Sequence, residues 1–547
     1  MKRAVYRVGA MLAACMMLAA GVAEARGAEP VARIPLGPLG YQTMVPEFLL
    51  AGSSMLTVDF VDADHLLITF GVRGLMKREA DEPADDDDRM VGAALVELPA
   101  GKVLAETQWR LHDRGQYLWG LGHGRFLLRV RDRLTVIAPM AAGGAGGAGG
   151  LKDAFREVPL LRTERHIVAL MVSANEDLLT VETTRRVSAD EAGVASDVTL
   201  VDPTLQGVAQ TDSAPVQLNF YRLRSTGAGA EGLLAVSAGA IRAREAVELP
   251  MTTGGFLDVK EGGKDRWLFN FDAHTGPVSE LAEWDTTCFP KATFVGHGEF
   301  VAFGCRGSAE RQALAGFNLK GEEMWQQNFS DQHVSPTFAF APAAGRFALG
   351  RIVVTGETDA EGPLPEGVVS GEEVRVMQSY DGRVLFKIDC TPVERAGGNF
   401  ALSADGMWLG VVRETLVHHA ATKDYDEYTQ REAAVEVYAL PPLTEKDQAE
   451  VKAAEAMAPQ DAGERIDLAL QRISTPVAGD AAREINAAGG DSSAQASAAA
   501  AAGAAVGEQG APTEAGAAVE GDAEPGAARK RPTLYGPDET PSGSSSR

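Results

Sequence analysis

The chain has 547 residues, 45% of them apolar, and a net charge of −25. That charge argues against nucleic-acid binding, which needs clustered Lys and Arg to neutralise phosphate, and against docking on an anionic membrane surface. The length suits two or more ordinary domains or one large repeat fold.

The N-terminus comes first. Met1, Lys2, Arg3 and Arg7 make a positive start, and Val8 to Val22 is an apolar run. Ala23-Glu24-Ala25 then puts small residues at −3 and −1 of a cleavage site. Residues 1–25 therefore read as a secretory signal peptide, and the mature protein is expected in the periplasm or secreted, with no membrane span left after cleavage. A competing reading takes Leu12-Ala13-Ala14-Cys15 as a bacterial lipobox, with a lipid anchor on Cys15. The apolar run continues past Cys15, which favours the signal peptide.

A unit then recurs: an apolar strand, a turn centred on Gly, and a second apolar strand. Its turns fall at Gly101, Gly276, Gly321 and Gly382. An aromatic residue follows each turn at a nearly fixed distance, at Phe126, Phe300, Phe347 and Trp408, and opens a further apolar strand. Two of these aromatics sit in one phrase, Gly122-His-Gly-Arg-Phe126 and Gly296-His-Gly-Glu-Phe300. First strands of the unit are expected near residues 96, 136, 220, 269, 317, 376 and 437, with an overlong step from 136 to 220. The spacing leaves room for about four short strands per unit, which is the pattern of a β-propeller. The expected fold is all-β, a propeller of about seven four-stranded blades over residues 31–442. The last strand is expected to complete a blade begun by the N-terminal strands.

Phe317-Asn-Leu-Lys-Gly-Glu-Glu-Met-Trp325 resembles the repeat of quinoprotein-like, YVTN-type propellers, in which a strand, a Gly turn and a Trp recur. The resemblance implies the fold and no particular activity.

Three insertions read as surface loops: Lys77–Met90, which holds the acidic run Asp81–Asp88, the glycine run Gly143–Gly150, and the segment Gly356–Gly371. Four consecutive Asp lack the alternating ligands of a Ca²⁺ loop, so the acidic run reads as a solvated face. After Pro442, residues 443–474 are expected to form a short helical linker capped at Thr444. Of 20 Phe, 6 Trp and 9 Tyr, only Tyr535 lies beyond Tyr438, and residues 475–547 are Ala, Gly, Ser, Pro and acid. That tail cannot bury enough apolar surface to offset its ordering entropy, so it is expected to be disordered.

Cys288 and Cys305 flank two strands around the Gly296–Glu299 turn. Pairing Val295 with Phe300 brings them nearly opposite, as either a disulfide or two reduced core cysteines. Cys390 has no such partner, and the spacing of Cys and His fits no zinc site. His123 and His297 hold equivalent places in two repeats, as channel or turn residues. His418-His419 lie on opposite faces of a strand, and Asp177, Asp381 and Asp405 read as turn caps.

No nucleophile elbow, zinc-protease helix or phosphate loop occurs in the sequence, so no catalytic, cofactor-binding or metal-ligating residue is assigned. The expected function is a binding or scaffold propeller of the bacterial envelope, acting on protein partners without a cofactor. The alternative is a propeller enzyme acting on a small molecule or glycan, such as a quinone-cofactor dehydrogenase or a lyase, with a site assembled from several blades.

Overall fold

The structure is a computed structural model. It describes residues 29–43, 56–72, 89–111, 116–140, 153–184, 216–227, 229–243, 250–273, 278–306, 308–329, 336–354, 369–390, 399–421 and 427–458. Residues 1–25, the acidic run, the glycine run, the turn at Gly276, most of the Gly356–Gly371 insertion and everything beyond 458 lie outside the described residues.

Seven antiparallel sheets of four strands make a seven-bladed β-propeller. The first blade holds β2 (Thr57–Asp62), β3 (His65–Val72), β4 (Arg89–Glu97) and β5 (Lys102–Leu111). The second holds β6 (Leu118–Gly120), β7 (Phe126–Val130), β8 (Arg133–Ile137) and β9 (Val158–Arg162). The third holds β10 (His166–Val172), β11 (Leu178–Thr184), β12 (Val216–Ser225) and β13 (Leu233–Ala243). The fourth holds β14 (Met251–Thr252), β15 (Gly255–Gly263), β16 (Arg266–Ala273) and β17 (Val278–Asp285). The fifth holds β18 (Lys291–Phe294), β19 (Glu299–Arg306), β20 (Ser308–Asn318) and β21 (Glu323–Phe329). The sixth holds β22 (Thr337–Ala341), β23 (Arg346–Val354), β24 (Val369–Gln378) and β25 (Val384–Cys390). The seventh joins β26 (Phe400–Leu402), β27 (Trp408–His419) and β28 (Tyr428–Ala439) to the N-terminal β1 (Ala32–Pro35).

Each blade packs on both faces, which explains why the inner strands read as continuous apolar runs rather than alternating ones. In β3, Leu66, Ile68 and Phe70 enter the core shared with the seventh blade, while Leu67 enters the core shared with the second. In β28, Val435 and Val437 face the first blade and Tyr438 the sixth. A separate apolar cluster fills each junction between neighbouring blades around the ring.

The seven strands expected near 96, 136, 220, 269, 317, 376 and 437 are all present, but each is the third of its blade: β4, β8, β12, β16, β20, β24 and β28. The aromatics Phe126, Phe300, Phe347 and Trp408 open the second strand of the following blade. The sequence unit thus straddles two blades, because a closed ring offers no intrinsic starting point. Closure also differs in proportion. Three C-terminal strands take one N-terminal strand, with Ala32 opposite Val437 and Ile34 opposite Val435.

Candidate functional site

Antiparallel strands put the turns between first and second strands, and between third and fourth, on one face of the ring. After β28, the chain turns over this face and enters helix α1 (Glu445–Met457). Thr444 and Asp447 form a capping box, each side chain bonding the other's backbone N–H, so the local sequence starts the helix without help. Asp447 then anchors it to the β24–β25 turn of the sixth blade, accepting from Tyr380 Oη at 2.9 Å and Arg383 Nη2 at 2.8 Å. Burial would raise the Asp447 carboxyl, but Thr444, Tyr380 and Arg383 together hold it at about 2. Further along, the Val451 side chain lies against Gly345, whose left-handed φ of 57° suits a residue without Cβ. The Ala454 carbonyl sits on Gly298 and leaves no room for a Cβ there.

The helix ends over the β18–β19 turn of the fifth blade. His297, in the β18–β19 turn, lies 3.0 Å from Glu455 Oε1 through Nδ1 and 2.7 Å from Asp177 Oδ2 through Nε2. Asp177 belongs to the β10–β11 turn of the third blade, where the Ser173 hydroxyl donates to its Oδ1 at 2.7 Å. One imidazole therefore joins the fifth blade, the third blade and the helix. Two carboxylates on its two nitrogens require two N–H donors, which only the imidazolium supplies. Burial pushes the His297 imidazolium down, but Asp177 and then Glu455 outweigh it and the net shift is upward. For Asp177, burial pushes the carboxyl up and the His297 contact brings it below its ordinary value. Its neighbour Glu176, at a left-handed φ of 59°, folds against Gly122 of the second blade. Burial drives the Glu176 carboxyl up to about 7, against the Gly122 backbone hydrogen bond.

The linkage has a definite sign. His297 is raised when the helix is docked, so its stabilisation is complete below the ordinary value of 6.5 and fades as pH climbs through the raised one. His297→Ala is expected to cost about 1–3 kcal/mol of stability at acid pH, most of it from the Asp177 contact between the third and fifth blades, with the exposed Glu455 contact to the helix adding under about 1 kcal/mol. A fluorine label at the exposed Lys452 position reports the helix end: its signal in wild type is expected to change as pH climbs past the ordinary histidine value, while Asp447 keeps the start of the helix anchored, and the variant shows a flat profile. A pH-independent wild type would refute the tie.

Beside the β10–β11 turn, residues of the second to sixth blades, mostly on their first strands, line an open cavity of about 280 Å³ toward the ring's centre. Among the described residues no group of three or more His, Cys, Asp or Glu could hold a metal ion, and no helix is long and apolar enough to cross a membrane.

The remaining residues singled out in the sequence are spread around the ring. His123 occupies the β6–β7 turn, in the same register as His297, but it is exposed at φ 53° and takes no part in the cluster. Cys288 and Cys305 are bridged, with Cα atoms 5.3 Å apart. The strands pair Phe294 with Phe300, one residue off the expected register, because the turn holds five residues rather than four. The bridge ties the approach to β18 onto β19, closing a loop of sequence separation 17. Cys288→Ala with Cys305→Ala is expected to lower stability by about 3 kcal/mol, read as a urea midpoint shift that reductant reproduces in wild type. Cys390 ends β25 in the sixth blade. His418 lies 2.6 Å from Glu427, and His419 stacks on Tyr428, so the pair splits to opposite faces. Asp381 and Asp405 accept from the backbone N–H of Arg383 and Met407 and cap their turns. Asp177 does more, because His297 reaches it from the fifth blade.

Sequence reasoning missed Glu176 and Glu455, whose partners are distant in the chain. It also missed the residue before two of the marker aromatics. Arg125 bonds Gly229 O and Ser225 Oγ of the third blade, and Arg346 bonds Gly406 O at 2.6 Å and Pro441 O at 2.7 Å. The repeated Gly-Arg-Phe phrase at 124–126 and 345–347 was the available signal.

No family model matches the chain, and no curated protein matches it. Among solved structures it is similar to the C-terminal WD40 domain of Sif2, at 7% identity and a TM-score of 0.29, covering 75% of this chain and 98% of that one. It is similar to Hsv2 of Kluyvelomyces marxianus at 8% identity and a TM-score of 0.28, covering 69% and 97%. Prolyl oligopeptidase B from Galerina marginata matches at 8% identity and a TM-score of 0.33, covering 67% of this chain but 45% of that one, so the chain spans about half its length. Likenesses this slight speak neither to activity nor to partners.

Proposed function

We propose that the protein is an exported binding or scaffold propeller of the bacterial envelope that engages protein partners. One observation carries this reading. The convergence of acid and base at Asp177, His297 and Glu455 fastens the chain's own helix. That face is partly occupied by α1, so partners are proposed to bind the opposite face, where among the described residues the turns at Arg131–Asp132 and Lys264–Asp265 join second to third strands. The sequence supports export through residues 1–25, with Cys15 as the competing lipid anchor. A mature N-terminus at Arg26 by mass spectrometry would support the first and a lipidated Cys15 the second.

The partner test uses photocrosslinking residues at the exposed Asp265, on the free face, and Lys320, on the helix face. Discrete protein adducts from position 265 in living cells are expected. Adducts from neither position would count against the reading.

A second reading has its own support. Glu176 and Asp177 are adjacent carboxyls whose surroundings push their proton affinities apart, an arrangement suited to general acid–base work on a small molecule. Turnover lost in both Glu176→Gln and Asp177→Asn would favour it.

A further inference from the structure

We propose that the channel cavity is a binding site for a small, uncharged aromatic molecule, distinct from any protein-binding face and independent of the scaffold reading. The cavity is lined by five consecutive blades, mostly by their first strands, so no single blade forms it. Its walls carry three aromatic rings, Trp119, Phe294 and Phe340, and two thioethers, Met171 and Met251. Trp119, Met171 and Phe340 are only partly buried although they lie at the centre of the fold, so their remaining surface meets the void. Aromatic faces prefer offset or edge contact with another ring, and methionine sulfur adapts to a ring edge without a fixed shape. These walls suit a flat aromatic ligand better than a sugar, which would need many hydrogen-bonding groups.

The polar lining is sparse. Gln116, Ser173, Thr180 and Thr293 offer an amide and hydroxyls. The Ser173 hydroxyl is engaged by Asp177, and that of Thr180 points to the Met251 sulfur at 3.9 Å. Among the described residues no charged side chain lines the cavity. An ionic ligand would lose its hydration there without a counter-charge, so an uncharged one is selected. The volume of about 280 Å³ lies just below the roughly 300–1,000 Å³ usual for small-molecule sites, so the ligand is small. The Asp177–His297 pair stands next to the cavity through Ser173, which lines it and donates to Asp177. A few polar groups in an apolar enclosure fix orientation while apolar contact supplies affinity.

The test titrates the full mature protein with the neutral dye N-phenylnaphthylamine and follows its fluorescence. Saturable binding at one equivalent is expected in wild type. Met171→Trp fills the void and should weaken binding by about tenfold or more, or ~1.4 kcal/mol, with the circular dichroism unchanged. Met171→Leu keeps the volume and should bind as wild type does. If Met171→Trp does not fold, quenching of Trp119 by the dye decides instead: Trp119→Phe should lose the dye-dependent quenching component while still binding. No saturable binding by wild type, or equal binding by a folded Met171→Trp, overturns the proposal. Crosslinking from Asp265 proceeds unchanged in Met171→Trp, so failure of the cavity and failure of the scaffold reading are separately visible.

Discussion

Ile34→Asp is expected to open the ring. Ile34 is 1% exposed on β1 and sits in the core between the seventh and first blades, beside Val58, Ile68 and Val435. The substitution removes an apolar side chain and places a carboxylate where no cation faces it, a combined cost of roughly 4 kcal/mol or more. The effect should exceed a local loss, because β1 is the strand that joins the two ends of the chain. Arg33 provides the control on the same strand. Its side chain is half exposed and lies 3.7 Å from Glu436, so Arg33→Ala should cost under about 1 kcal/mol. Urea unfolding gives both values, and small-angle scattering shows whether the radius grows. Similar midpoints for the two variants would mean that β1 is not the seal.

Phe300→Ala should be the most damaging truncation in the fifth blade. Its ring is fully buried, stacks on Phe317 at 5.2 Å, and meets Phe269 at 5.4 Å and Phe294 at 6.1 Å edge-on. Close packing from two blades leaves little room to collapse around the cavity, so the cost is about 3–5 kcal/mol. Phe300→Leu keeps most of the volume and should cost about 1.5 kcal/mol or less. A loss below about 1 kcal/mol for Phe300→Ala would show that this cluster is not shared between blades as described.

Phe300 also shows what the sequence could and could not convey. Its spacing from Gly276 marks a repeat because every blade needs a large apolar side chain at the start of its second strand. Seven third strands were legible for the same reason: they are buried on both faces and so read as dense apolar runs. The phase of the blades was hidden, since a half-blade shift leaves the periodicity unchanged. The near-opposition of Cys288 and Cys305 was legible through hairpin geometry to within one residue of register, but their bridging was not. The cluster of Asp177, His297 and Glu455 was not legible either. His297 looks like His123 in its phrase, and only the arrival of α1 and the third-blade turn sets them apart. Asp177 was visible as a turn residue, but its second partner lies 120 positions away. Contacts that depend on ring geometry leave no local pattern.

The mixed seventh blade also bears on how the molecule is made. Ala32 is among the first described residues to leave the ribosome, and its partner Val437 is among the last. Until β28 emerges, every nascent chain is an open arc. Its two free edges expose unsatisfied backbone and the apolar faces that later meet in the final junction. Such a pairing across nearly the whole chain is slow to find. A polypeptide unfinished or clipped before the end of β28 is therefore a target for chaperones and proteases rather than a smaller working protein, and cells should contain the closed ring or fragments of it, but no stable six-bladed form.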